Sequence, residues 1–328
     1  MAWQIRGVSI VVIAHNEETS LPRCLDSLTR FDMLDCEVIC VDSLSTDNTR
    51  NIMMIYKDQY SNFVVLSPPE CRNAAMARNH GMNIATKSII YFVDGDIELN
   101  PEFMLAALEE LKSPDVFAMT GGLDEIIYDD SSGVPLSKRY SRISYKERGL
   151  VVSCGGMFLA RMTAIRATGL YDERFYINED IDYSLRLTNK YPMIALPLQV
   201  GIHHTREHRN RPWLRIAKGH ILNQGMLARK HFRRPGFWKY WYGSRKSFVW
   251  GFIVFNVFLL LAVLHLYSMI PSWWLSLFAT IFIAFEVTYS ILKKQSLIST
   301  LINHILSPYA IFFGFVAEPL IKKSERRT

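Results

Sequence analysis

The sequence predicts an α/β fold with a mostly parallel central sheet, followed by a C-terminal helical membrane region. Three observations carry that expectation. Short apolar runs bounded by polar turns alternate with amphipathic stretches through residues 1–204, the pattern of strands alternating with helices. Acids and amides gather where the apolar runs end, in "AHNEE", "DSLSTDNT" and "DGDIE", and open α/β sheets bind ligands at the carboxyl ends of their strands. From residue 247 onward, long apolar runs dominate the chain.

Period and punctuation give the elements in order. A strand at 9–13 leads to a helix from about residue 20, a strand at 38–41, a helix from about 46 and a strand at 63–66. A helix over 73–84 and a strand over 88–93 follow, then a helix ending near 112 and a strand at 116–119. The polar tract "DEIIYDDSSGVPLSKRYSR" reads as a mobile loop. Beyond it, "CGGMFLARMTAIRATGLYDERFYINEDIDYSLRL" places a Gly-Gly turn before a strand, a short helix and a second acidic cluster. Asn178 suits the cap of a helix from residue 179 to about 187.

The remainder of the 328 residues divides into a basic, aromatic juxtamembrane segment at 205–246 and a membrane region at 247–328. Segments 248–267 and 273–292 each approach the ~20 residues that cross a bilayer core, with Trp and Tyr at their edges. Glu286 lies midway along the second, where an acid is costly and usually paired or functional. The apolar segment 297–321 contains Asn303, His304, Pro308 and Glu318 and has lysines or arginines on both flanks. An interfacial or re-entrant segment fits that pattern better than a third crossing.

The net charge of +6 is concentrated just before the first apolar helix, where Arg and Lys are opposed only by Glu207 and interleave with Trp213, Trp238, Tyr240 and Trp241. That position suits anionic headgroups and the membrane interface, not nucleic acid. The apolar run at the amino terminus is too short for a signal peptide, which places residues 1–204 on the cytoplasmic face of the inner membrane. Five cysteines without a CxxC pair read as core residues of a reducing compartment. Neither G-x-G-x-x-G after the first strand nor a P-loop is present, which weakens oxidoreductase and ATPase readings.

Two acidic groups could do chemistry. Asp94 and Asp96 flank Gly95; carboxylate oxygens suit a hard divalent cation such as Mg2+ or Mn2+, although Asp and Gly are also ordinary β-turn residues. Glu179, Asp180 and Asp182 occupy a first helical turn, where acids suit the helix dipole or where one could serve as a general base.

Four stretches, "VSIVVIAHNEETSLPRCLDSL", "EVICVDSLSTDNT", "ARNHGMNIATKSIIYFVDGDIELNPEFM" and "GGMFLARMTAIRATGLYDERFYINEDIDYSLRL", together resemble the motifs of family-2 inverting glycosyltransferases with the nucleotide-diphospho-sugar transferase (GT-A) fold. The resemblance covers residues 8–204. It implies that Asn16, Glu17 and Asp42 line a nucleoside pocket, that Arg78 faces the diphosphate, and that Asp94 and Asp96 grip metal and donor. It makes Asp180 the catalytic base with Glu179 supporting it, Gly155 and Gly156 the glycines that let the sugars approach, and His204, with His203 beside it, the residue completing the metal shell. Taken without the family, "HHTREHR" is simply part of the basic run. The "AHNEE" motif departs from the many relatives that have proline or threonine before the asparagine.

The resemblance implies transfer of a sugar from a nucleotide-diphosphate sugar with inversion. A membrane hairpin points to a polyprenyl-linked glycan as acceptor. A phosphate acceptor needs no base whereas a hydroxyl does, so Asp180 favours a sugar hydroxyl over polyprenyl phosphate itself. A membrane-tethered module that binds nucleotide-sugar without turnover is the alternative of another class.

Overall fold

The computed structural model describes residues 7–30, 35–129, 133–206, 220–266 and 271–292. The chain forms two compact units, Met1–Asn210 and Arg211–Thr328.

In the first unit, β1 (Val8–Ala14), β2 (Cys36–Asp42), β3 (Phe63–Leu66) and β4 (Ile89–Asp94) alternate with α1 (Leu21–Thr29), α2 (Thr49–Gln59) and α3 (Ala74–Ile84). Then come β5 (Ile97–Leu99), α4 (Pro101–Glu110), β6 (Ala118–Tyr128), β7 (Tyr140–Ile143), β8 (Gly149–Val151), β9 (Phe158–Arg161), α5 (Met162–Thr168), α6 (Glu179–Thr188) and β10 (Met193–Arg206). The sheet runs β3-β2-β1-β4-β9-β6-β10-β5, with β7 on β6 and β8 on β10. Strands β3, β2, β1 and β4 are mutually parallel, as are β6 and β10.

Every residue of β1 is buried, which explains its unbroken apolar sequence: a strand covered on both faces has no polar side. Alternation sends Val8, Ile10 and Val12 to the layer that holds Leu21 and Leu25 of α1 and Phe103 of α4. Val11 and Ile13 go to the opposite layer, with Ala75 and Ala77 of α3 and Tyr183 of α6. Helix α3 lies so close to β1 that a Cβ on Gly81 would fall 2.3 Å from Val11 Cγ1.

Strand β9 lies antiparallel between β4 and β6. Because its direction is reversed, its entry glycines, Gly155 and Gly156, arrive at the carboxyl end of β4, beside Asp94. One strand reversal thus brings the Gly-Gly turn to the ligand-binding edge.

The expectation of a mobile loop after residue 123 is corrected. The two ends of the tract form the distal half of β6 and most of the paired strand β7, with Asp124 opposite Ser141 and Glu125 opposite Tyr140. Asp124 and Glu125 are buried. Asp124 is bound by Arg139 and Ser141, and Glu125 by Tyr140 and Arg142. A polar composition resembles a loop until its opposite charges are paired across a hairpin.

In the second unit, α7 (His220–His231) and α8 (Pro235–Leu266) precede α9 (Ser272–Leu292). Helix α8 carries the aromatic, basic stretch into the first expected apolar segment without a break. Phe237, Trp238 and Trp241 form a cluster on its first turns, with ring centroids 5.4–6.3 Å apart. Among the described residues no helix is long and apolar enough to cross a membrane. Residues 207–219, segment 297–321 and the side chain of Glu286 lie outside the described residues.

Candidate active site

The carboxyl ends of β1, β2 and β4 and the start of α3 surround a cavity of about 320 Å3, lined by His15, Glu17, Ser43, Arg72, Asn73, Arg78, Asp94, Asp96, Glu179 and His203 among others. A second cavity of about 280 Å3 is lined by Thr120, Gly121, Arg142, Gly155, Gly156 and Asp180. Asp94 and His203 line both.

Arg78 links the parts. It projects from α3, is 2% exposed, and donates through Nη2 to Asp94 Oδ1 at 2.7 Å and through Nη1 to Glu179 Oε1 at 2.6 Å. Its guanidinium lies 5.5 Å from the centre of the Tyr171 ring, which stacks on Tyr183 at 3.9 Å. Burial works against its charge, but Asp94 and Glu179 outweigh that and hold it well above the ordinary arginine range. The sequence expectation had Arg78 face a diphosphate; here the guanidinium is engaged by carboxylates of two different elements.

Gly95 separates Asp94 and Asp96 for a reason other than a left-handed turn. Its N–H donates to Ile13 O at 2.8 Å, and a Cβ there would sit 2.8 Å from Ala14 Cβ. Gly156 is required in a similar way, since its Cβ would fall 2.3 Å from Arg78 Nη2 and 3.2 Å from Asp94 Oδ2. At Gly155 the nearest neighbour would be Asp180 Oδ2 at 4.0 Å. Gly156→Ala is therefore expected to break the Arg78–Asp94 pair and cost about 1–3 kcal/mol of stability, whereas Gly155→Ala leaves the melting temperature near wild type. Thermal denaturation of the two variants checks the contrast.

Asp180 and Glu179 open α6. Asn178 before them has φ 65° and makes no side-chain cap, so the expected N-cap is corrected: this asparagine takes the left-handed conformation it tolerates better than most residues. The turn sends Glu179 to Arg78 and the first cavity, and Asp180 to the second. Burial first, then the charge of Glu179, push the Asp180 carboxyl up to about 7, against the pull of Arg78 and the Ile181 N–H. Asp182 is fully buried and bound by Arg186 Nε at 3.0 Å, a structural pair.

The two histidines part on opposite faces of β10, as neighbouring residues of a strand must. His203 Nε2 lies 3.1 Å from Asp96 Oδ2 and its Nδ1 2.9 Å from Glu125 Oε1. His204 turns to the Tyr128 hydroxyl at 2.9 Å and Glu98 Oε2 at 3.2 Å. The histidine beside the acid pair is thus His203, and the placement expected for His204 is corrected. Burial opposes the charged form of His203, but hydrogen bonds to Asp96 and Glu125 raise it to about 9. In His204, burial lowers the tendency to protonate more than Glu98 restores it.

Two carboxylates and one imidazole at the first cavity are oxygen and nitrogen donors of the type Mg2+ and Mn2+ accept. Among the described residues no cluster of three such groups is assembled to hold an ion. That partial set fits a cation held by one or two carboxylates together with substrate phosphates.

The remaining expected residues divide. Glu17 lines the first cavity and accepts from Ser20 Oγ at 2.7 Å. Asn16, at φ 55°, accepts from Thr46 N at 2.8 Å and lines a small pocket of about 50 Å3 together with His204 and Arg206. Asp42 is buried, its Oδ1 3.2 Å from Ser45 N, and its neighbour Ser43 lines the cavity. Sequence reasoning missed His15, Arg72 and Asn73. All three lie in loops that leave the strands' carboxyl ends, so the edge rule could have found them.

Residues 9–175, just over half of the chain, match the model of glycosyl transferase family 2. A poly(ribitol-phosphate) beta-glucosyltransferase of Bacillus spizizenii is 39% identical over 101 residues, covering 30% of this chain and only 16% of that protein. The amylovoran biosynthesis glycosyltransferase AmsB of Erwinia amylovora is 27% identical over 69% of this chain and 83% of its own length. The glycosyltransferase AglE of Haloferax volcanii is 23% identical over 69% and 77% respectively. Among solved structures, residues 1–349 of S. aureus TarS in complex with UDP-GlcNAc share the fold, with a TM-score of 0.54 at 19% identity over 68% of this chain and 65% of that one. With the matched region spanning β1 to the turn before α6, the chain belongs to glycosyl transferase family 2.

Proposed function

We propose that this chain is an inverting glycosyltransferase that moves a sugar from a nucleotide-diphosphate sugar to a hydroxyl of a membrane-associated, polyprenyl-linked glycan. The observation that carries the reading is the division of one acidic pair between two cavities that share Asp94 as a wall: Glu179 faces the cavity that would take the donor, Asp180 the cavity that would take the acceptor. A base on the acceptor side is what a one-step displacement needs.

Asp180 takes the proton from the acceptor hydroxyl as its oxygen attacks the anomeric carbon; the carbon–oxygen bond to the donor's diphosphate breaks as the new glycosidic bond forms. An acid titrating near neutrality suits that role, because it is ionised often enough to act and basic enough to accept. Arg78 holds Asp94 and Glu179 in place while Gly155 leaves room beside Asp180 and Gly156 leaves room for the Arg78–Asp94 pair. Asp94 and Asp96, together with the donor's phosphates, would hold a divalent cation, which when bound supplies positive charge to the departing diphosphate.

The apolar segments 248–267 and 273–292 and the basic stretch before them support a membrane-bound acceptor and a head on the cytoplasmic side of the inner membrane. A donor screen with defined acceptors tests the whole reading. Purified protein with Mn2+, a panel of nucleotide-sugars and polyprenyl-linked glycans is expected to give transfer to a sugar hydroxyl with inverted configuration. Transfer only to bare polyprenyl phosphate would replace the acceptor assignment, and donor binding without transfer or hydrolysis would make the chain a binding module.

A further inference from the structure

Arg72, Arg78 and His203 line the first cavity. Two are already engaged. Arg78 binds Asp94 and Glu179, and His203 lies between Asp96 and Glu125. The same wall carries the acids Glu17, Asp94, Asp96 and Glu179, and Asp94 and Glu179 take up the charge of Arg78.

Arg72 differs from the other two. It is exposed on the cavity wall and, among the described residues, has no hydrogen bond or ion pair. Its backbone is held on both sides while its side chain stays available. Cys71 before it is buried, with its sulfur 3.5 Å from Ser43 Oγ. Asn73 after it is buried, caps α3 by accepting from Met76 N at 2.9 Å, and donates through Nδ2 to Glu173 O at 2.8 Å. A fixed origin with an unengaged planar fork of donors is the arrangement that recognises phosphate oxygens.

We propose that Arg72 is the side chain that binds the donor's diphosphate directly, while Arg78 acts through Asp94 and Glu179 as a positioning residue. The assignment rests on the nucleotide-sugar reading given above. It divides between two arginines a role that the sequence motif alone gives to one, and it accounts for an exposed cation among four acids that no structural contact requires.

The test is equilibrium binding to the full chain with Mg2+, using UDP, GDP, dTDP and CDP and their parent nucleosides as probes. Wild type is expected to bind at least one diphosphate. For that nucleotide Arg72→Ala should weaken the diphosphate by roughly 10–100-fold, the range of a lost charge-assisted contact, and leave the nucleoside within about twofold. Arg72→Lys should restore part of the loss, and the melting temperature of both variants should match wild type because Arg72 holds nothing in place. Diphosphate binding unchanged in Arg72→Ala, or nucleoside binding reduced in parallel, overturns the assignment. A wild-type protein that binds none of the four diphosphates overturns the donor reading itself, and the role of Arg72 with it.

Discussion

Asp180→Asn is expected to lower the rate of sugar transfer by about 10²–10⁴-fold, the range contributed by a positioned general base, with donor binding kept within a few-fold of wild type. The amide is nearly isosteric, so the second cavity keeps its shape and only the proton acceptor is lost. In the wild type, the transfer rate should rise with pH through about 7 and then level, because the base works only when ionised and burial with Glu179 holds Asp180 up to about 7. Glu179→Gln removes the second of those causes, so the rising limb should move to lower pH. Steady-state kinetics between pH 5 and 9 decides it, and a full-rate Asp180→Asn enzyme would remove Asp180 from the mechanism.

The same shift has a consequence for stability. Between the ordinary carboxylate range and about 7, the folded protein binds the Asp180 proton more tightly than the unfolded chain does, so this group's contribution to stability is present at low pH and lost as pH rises through that window. Asp180→Asn should flatten the fall: its melting temperature relative to wild type should be higher at pH 8 than at pH 5. A variant less stable than wild type at both pH values would show that the carboxylate is held by contacts more favourable than burial and Glu179 imply.

The parallel half of the fold was legible because β1, β2 and β4 are buried on both faces, and only continuous apolar runs satisfy that environment. The edge rule reads Glu17, Asp94 and Asp96 onto one rim, and these three line one cavity although they are far apart in sequence. What could not be read was governed by pairing across the sheet. Asp124 and Glu125 look like loop residues until Arg142 on β7 and Arg139 just before it arrive. The choice between His203 and His204 is a matter of strand register, and in β10 the register against β6 shifts twice before those residues. A one-residue difference there reverses which histidine faces Asp96, and spacing along the chain cannot show it. The pairing of Arg78 was hidden in the same way, since only the fold brings Asp94 of β4 and Glu179 of α6 to its guanidinium.

Arg78→Met should be the most destabilising change at the site. Methionine keeps an apolar stem but removes both ion pairs and the guanidinium over the Tyr171 ring, leaving Glu179 almost fully buried, with 10% of its side chain exposed, and without a partner. Breaking a buried pair from one side costs roughly 3–5 kcal/mol, and the Asp94 half adds little because its side chain is 38% exposed and open to solvent screening. A fall of roughly 10 °C in melting temperature follows for a unit of this size. The double variant Arg78→Met with Glu179→Gln should recover part of it, since the second change removes the stranded charge. Arg78→Lys should lie between, because one ammonium cannot reproduce two donors held in a fixed fork toward carboxylates on β4 and α6. If Arg78→Met melts with the wild type, the arginine is not what holds the two acids, and the separation of Glu179 and Asp180 into different cavities must come from the α6 turn at Asn178 alone.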